Sequence, residues 1–279
     1  VYQFPLPPLL LHALHKGNSQ HLAEWAKSIP ETHGRGTFVN FTASHDGIGV
    51  RPLEGVLPEK EKVALIDKMK QFGGYVSTKT NQDGTESPYE INITYFDALK
   101  GTSEGEDNLQ AERFLCSQTI MMALKGIPAF YIHSLLATRN DDEGVKKTGK
   151  YRAINRKKLK WDEIKNLMND RKSDTFRVFS EIENLLKIRR AEKAFHPDSK
   201  QIVLDLGKSV FGFKRIWDQE NTIYHISNIS AGEIVLNLDL LEENQNFTDL
   251  ISNRAINSGE DIFLAPYQTM WLKASEHNQ

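Results

Sequence analysis

Hydrophobic residues follow two different rhythms on either side of residue 196. Before it, short apolar runs alternate with segments of helical period. After Pro197 only short alternating runs remain, recurring about every ten residues. Strand–helix alternation implies a parallel sheet with crossover helices. Closely spaced strands imply an antiparallel sandwich or small sheet. Two units are therefore expected: residues 1–196, α/β, and residues 197–279, all β.

Within the first unit, Val1-Tyr2-Gln3-Phe4 is extended and apolar, and Pro7-Pro8 suits the first turn of a helix, where no intrahelical hydrogen bond is lost. Asn18 or Ser19 can cap a second helical piece carrying Leu22, Trp25 and Ile29 on one stripe, with Gly34 and Gly36 closing it. Residues 37–42, β-branched and aromatic, predict a strand that stops at Ser44-His45-Asp46-Gly47. A loop and hairpin insertion is expected over about 52–105, with a helix at 58–71 and strands at 75–80 and 89–94 around Asn81-Gln82-Asp83-Gly84. Asp107 with Gln110 resembles a capping box opening a helix to about residue 125. Residues 127–132 read as a buried strand ending in His133-Ser134, residues 140–156 as a polar basic loop, and residues 175–194 as a long amphipathic helix.

That gives only three parallel strands, and a closed α/β barrel needs eight. The chain also opens on Val1, with no initiator Met, charged leader or small-residue cleavage site. It reads as cut from inside a longer protein, with the first part of a barrel absent. An open remnant exposes a strand edge, so association with the missing N-terminal part or with a second copy is expected.

Composition removes several function classes. Lys and Arg (35) nearly balance Asp and Glu (37), which argues against a nucleic-acid surface. No apolar run approaches the roughly 20 residues of a membrane helix, so no membrane partner is expected. The one cysteine, Cys116, cannot form an internal disulfide and fits a reducing cytoplasm. It lies near Met121 and Met122 and reads as a buried, inert thiol. Trp217 and Trp271 read as core packing of the β unit.

In α/β barrels chemistry sits at the C-terminal ends of the strands, where His45-Asp46 and His133-Ser134 fall. Taken alone, His45-Asp46 is also compatible with a turn in which the carboxylate caps backbone N–H groups. A metal phosphohydrolase would need further His and Asp ligands on helices, whereas this pair ends a strand.

The wider context is more specific. Phe41-Thr42-Ala43-Ser44-His45-Asp46-Gly47-Ile48-Gly49-Val50 resembles the seventh-strand motif of the α-amylase clan of glycoside hydrolases, and within it the sucrose-phosphorylase group. Three further segments agree in order: Tyr2-Gln3-Phe4-Pro5-Leu6-Pro7-Pro8, Gly126-Ile127-Pro128-Ala129-Phe130-Tyr131, and Thr148-Gly149-Lys150-Tyr151-Arg152-Ala153-Ile154-Asn155-Arg156. Arg51-Pro52-Leu53-Glu54-Gly55 and Ile132-His133-Ser134 look closer to phosphorylases of sucrose 6′-phosphate or glucosylglycerate.

The resemblance implies about strands six to eight of a TIM (β/α)8 barrel followed by an all-β C-terminal domain. It implies a glycosyltransferase working by retaining double displacement, with two carboxylates about 5–5.5 Å apart. Asp46 matches the third carboxylate, a transition-state stabiliser. His45 and Arg152 match contacts to the glucose. Tyr89 and Glu90 match a mobile acceptor-side loop. Arg51, directly after the turn, is the candidate for an anionic acceptor. His133 is a further candidate contact, a satisfied histidine being its alternative. The nucleophile and acid/base belong upstream and are absent from this chain; Glu54, Glu86 and Glu90 read as loop or surface residues. Phosphate and a small α-glucoside are the implied partners, with no metal or organic cofactor. The competing readings are a catalytically silent sugar- or partner-binding fragment and an amylase-type hydrolase.

Overall fold

Two helices separate the first parallel contact of the chain. The computed structural model describes residues 1–32, 36–242 and 245–275, and Gly34 lies outside them. Tyr2 bridges Val39 in parallel, and Gln3 donates to the Val39 carbonyl at 3.0 Å. Between them run α1 (Leu6–Lys16) and α2 (Gln20–Lys27), leading to β1 (Val39–Asn40). The prolines stand in the first turn of α1, and Gly17, at a φ of 60°, ends it by donating to the Ala13 carbonyl. Helix α1 is buried on all sides, as its unbroken leucines require.

The chain then forms β2 (Ile48–Gly49), α3 (Glu59–Gln71), the hairpin strands β3 (Tyr75–Thr80) and β4 (Glu86–Asn92), the small pair β5 (Gly101–Thr102) and β6 (Gly105–Glu106), and α4 (Gln110–Ala123). Helix α4 returns to β7 (Ile127–Pro128), which pairs parallel with β1, Val39 against Ile127. Three parallel segments thus lie in the order Tyr2, β1, β7.

Three local expectations are corrected. The strand at 127–132 is cut to two residues: the last ladder bond runs from Ala129 N to the Asn40 carbonyl, and α5 (Ile132–Leu135) already begins at Ile132. His133 therefore lies in a helix, not at a strand end. The capping box at Asp107 does not form. One Asp107 oxygen accepts from Leu109 N at 2.9 Å, and the other pairs with the fully buried Arg113, whose charge needs it more than the helix end does. The basic loop contains α6 (Asp142–Thr148), capped by Asp141 on Gly144 N and closed by Gly149, and then a 3-10 turn over Tyr151–Asn155. Helix α7 (Trp161–Asn169), also not expected, precedes α8 (Asp174–Ala191).

Beyond α8 every extended element is antiparallel. The strands are β8 (Lys200–Leu204), β9 (Val210–Ile216), β10 (Thr222–Asn228), β11 (Ile234–Asn237), β12 (Phe247–Asp249), β13 (Arg254–Ile256), β14 (Asp261–Leu264) and β15 (Thr269–Ala274). Six form one sheet in the order β13-β12-β15-β10-β9-β8, and β11 pairs with β14. Strand alternation gives the sheet two dry faces. Tyr224, Ile226, Met270 and Leu272 pack with Leu236, Ile262 and Leu264 of the separate pair. Phe211, Phe213, Ile223 and Trp271 join the cluster of α1 and α4 that includes Leu10, Phe114 and Met121. Trp217, expected in the core, is 47% exposed.

Polar groups inside this second face are closely matched. Trp271 Nε1 donates to His225 Nδ1 at 3.0 Å, so Nε2 carries the imidazole proton and donates to Ser227 Oγ at 2.9 Å. Two arginines, Arg215 fully buried and Arg189 half-buried, close the end of α4 through backbone carbonyls. Arg215 donates to the carbonyl of Ala123 at 2.7 Å and to that of His196 at 2.7 Å; Arg189 donates to those of Met122, Gly126 and Phe195. Cations at the negative end of a helix are favoured by its dipole. Among the described residues no helix is long and apolar enough to cross a membrane.

Candidate active site

The turn after β1 carries His45 and Asp46 out of the parallel sheet, and the 3-10 turn near residue 151 clamps it from the other side. Asn155 Nδ2 donates to the carbonyls of Ser44 (3.3 Å) and Asp46 (2.9 Å). Arg156 Nε donates to the His45 carbonyl at 2.6 Å, and its Nη2 lies 3.3 Å from Asp46 Oδ1. Arg152 Nη1 meets the same Oδ1 at 2.6 Å. The Oδ2 of Asp46 carries no hydrogen bond among the described residues. Tyr131, just beyond β7, anchors the clamp by donating to the Asn155 carbonyl at 2.8 Å.

The hairpin closes the opposite wall. Glu90 on β4 is only 4% exposed, and both its oxygens are taken by Arg152, at 2.9 Å from Nε and 2.7 Å from Nη2. These hydrogen bonds, then the charges of Glu90 and Asp46, raise the Arg152 pKa above its ordinary value. Gly47 makes the approach possible: a Cβ there would lie 2.5 Å from Glu90 Cγ and 2.5 Å from the Ile91 carbonyl oxygen. A second tie is the stack of Tyr75 on Tyr151, with ring centroids 4.8 Å apart and planes 14° from parallel.

Between these walls lies a cavity of about 280 Å³, reached by Phe4, Phe41, Asp46, Arg51, Tyr89 and Arg152. A neighbouring cavity of about 380 Å³ takes in Tyr2, His45, Phe130 and Tyr131. Phe4 and Phe41 meet edge to face at 5.5 Å and form an apolar floor. Asp46 belongs to both cavities, so it is the carboxylate they share.

Of the residues singled out from sequence, Asp46, Arg51, Arg152, Tyr89 and Glu90 converge on the first cavity and His45 on the second. His45 is exposed, with Nε2 3.7 Å from Asp46 Oδ1. Arg51 is exposed, and among the described residues no side-chain hydrogen bond or ion pair holds its guanidinium. Glu90 was expected on a loop or surface and is instead buried, because an arginine 62 residues away completes it. His133 lines neither cavity. It is 9% exposed, bonded to Thr138 Oγ1 at 3.0 Å and packed edge-on against Tyr131, and burial lowers its pKa. Sequence reasoning missed Asn155 and Arg156 as individual residues, although both stand in the quoted segment ending at Arg156. Among the described residues no group of three or more His, Cys, Asp or Glu is placed to hold a metal ion.

The chain is similar to known proteins over nearly its whole length. No family model matches the chain. A glucosylglycerate phosphorylase of Escherichia coli is 41% identical over 273 residues, covering 98% of this chain and 48% of that protein. The glucosylglycerate phosphorylase of Spirochaeta thermophila is 37% identical over 284 residues, with the same coverage. In fold, the crystal structure of sucrose 6F-phosphate phosphorylase from Thermoanaerobacter thermosaccharolyticum superposes with a TM-score of 0.70 at 24% identity, over 95% of this chain and 47% of that one. The chain spans about half the length of the curated relatives it matches. By sequence it belongs to the sucrose-phosphorylase-like glycoside phosphorylases of the α-amylase clan, and its fold matches the solved sucrose 6F-phosphate phosphorylase.

Proposed function

We propose that this chain is the closing part of a retaining glycoside phosphorylase that moves glucose from a small α-glucoside, of glucosylglycerate type, to inorganic phosphate. Residues 1–196 are the barrel remnant, about strands six to eight, with the insertion at about 52–105, and residues 197–279 are the C-terminal β domain. One observation carries the reading: Asp46 is pinned through Oδ1 by two arginines, while its other oxygen stays free at the junction of two cavities.

In this reading the free oxygen of Asp46 and the exposed ring of His45 take sugar hydroxyls. The carboxylate charge stabilises the oxocarbenium-like transition state, and the clamp holds it in place beforehand, so little reorganisation is needed as charge develops. Arg51, unpaired beside the cavity, takes the carboxylate or phosphate of an anionic acceptor, with Tyr89 alongside. Glu90 and His133, both buried and already bonded, make no direct contact with substrate.

The nucleophile and acid/base come from sequence beyond this chain, which supplies only transition-state stabilisation and binding. The exposed residues Val1, Tyr2, Phe4 and Ile127 border the outer parallel segments and form the surface on which the remaining barrel strands dock, in a reducing cytoplasm. The test is release of glucose 1-phosphate from glucosylglycerate and phosphate. None is expected from the chain alone, and activity is expected once the upstream part is supplied. Turnover by the chain alone would overturn the placement of the catalytic pair. Silence of the complete protein would leave a non-catalytic sugar-binding role.

A further inference from the structure

We propose that Glu90 is a positioning residue that acts through Arg152 to fix Asp46, so that the hairpin and the sugar-side carboxylate move as one unit; this rests on the function proposed above. Arg152 has five N–H donors in a rigid plane. Two are fixed on the Glu90 oxygens, at 2.9 and 2.7 Å, and Nη1 forms an ion pair with Asp46 Oδ1 at 2.6 Å. A bidentate pair sets the plane of a guanidinium as well as its position. With Glu90 in place, Nη1 is held at one position, within ion-pair distance of Asp46 Oδ1. Without Glu90, the same side chain regains its rotamers and meets Asp46 through a single flexible contact.

The main chain supports the same coupling. Glu90 sits opposite Gly49 in the β2–β4 ladder, two residues beyond the turn it serves, and Gly47 leaves it the room. Tyr89, the preceding residue, is exposed at the same cavity that the buried Glu90 lines. A shift of the hairpin at Tyr89 is therefore transmitted through one guanidinium to the carboxylate at the other wall. With both oxygens engaged and 6% of its side chain exposed, Glu90 has little surface left for a ligand.

Two measurements decide the matter. The first needs no activity. In the isotope-labelled chain, the Arg152 Nε–H and Asn155 side-chain amide resonances report the pair and the Ser44–Asp46 turn separately. Glu90→Gln is expected to speed exchange of the Arg152 proton at least tenfold and also to shift the Asn155 amide, while Glu90→Asp partly restores both. An unmoved Asn155 amide beside a freed Arg152 would show that the turn holds itself, and would overturn the proposal. If Glu90→Gln fails to fold, Arg152→Lys, which keeps a cation near Asp46 without the bridge, is expected to produce the same Asn155 shift.

The second measurement uses the complete phosphorylase containing this sequence. Glu90→Gln should lower kcat at least tenfold with KM for phosphate within twofold. A raised KM at unchanged kcat would mean that Glu90 touches the acceptor, contrary to the proposal. If the complete wild-type protein shows no phosphorolysis, the proposed function fails while the resonance measurement still decides the coupling.

Discussion

Acidification is expected to weaken this fold through two imidazoles that it keeps neutral. His225 is fully buried against Trp271 and Ser227, and burial pushes its pKa down to about 3. His15, buried in α1 with Nε2 on the Ala98 carbonyl, is pushed down by burial to about 4. Both bind a proton less tightly folded than unfolded. As pH falls through about 6.5 the unfolded chain takes up protons first, and stability falls until pH drops below the folded values. At pH 5 each imidazole is about 1.5 pH units below its unfolded value, a loss of about 2 kcal/mol each and about 4 kcal/mol together relative to pH 8. That magnitude depends little on how far below 5 the folded values lie. With a urea slope of about 3 kcal/mol/M, the unfolding midpoint should fall by roughly 1.3 M between pH 8 and pH 5. Burial shifts His12 and His133 the same way and adds to the slope. Glu61, hydrogen-bonded to His12, opposes the His12 shift in part. His225→Gln, which cannot titrate, should lower stability at pH 8 and remove about half of the pH-dependent drop. A wild-type midpoint that moves by less than about 0.3 M, or an unchanged slope in His225→Gln, would refute the reasoning.

Three other outcomes are expected. Gly47→Ala forces a methyl group to within 2.5 Å of Glu90 Cγ and the Ile91 carbonyl, and should cost about 1–3 kcal/mol by urea titration. Cys116, buried and with its thiol pushed up to about 11, should resist alkylation at pH 8 and react fully only in denaturant; rapid native labelling would mean that α4 opens. In the complete phosphorylase, Arg51→Ala should raise KM for an anionic acceptor about tenfold and for a neutral one less than about twofold, and equal losses would show that Arg51 does not read charge.

Those residues also mark how far the sequence could be read. The change of rhythm near residue 196 and the hairpin around Asp83-Gly84 follow local patterns, whereas the grouping of Asp46, Arg51, Tyr89 and Arg152 was legible only through the family resemblance of separate segments. Helix α6 was hidden because charged residues crowd its short length, whereas α7 does carry Trp161, Ile164, Leu167 and Met168 at helical spacing, a stripe that sequence reasoning passed over. The strands β12 and β13, three residues each, are too short for alternation to register. The burial of Glu90 and the failure of the Asp107 cap share one cause. A distant or neighbouring arginine claims the carboxylate, and such competition is settled by tertiary packing that local sequence does not encode.

The arginine closure of α4 has a bearing on inheritance. A crossover at residue 196 looks clean in sequence, since the strand-only pattern begins directly after it. Yet Ala123, on one side of that point, takes its last hydrogen bond from Arg215 on the other. Recombining either half with a stranger would leave the Ala123 carbonyl without its arginine donor, or the buried Arg215 without its acceptor on α4. Selection on this contact alone favours passing the two halves on together, as a single heritable block.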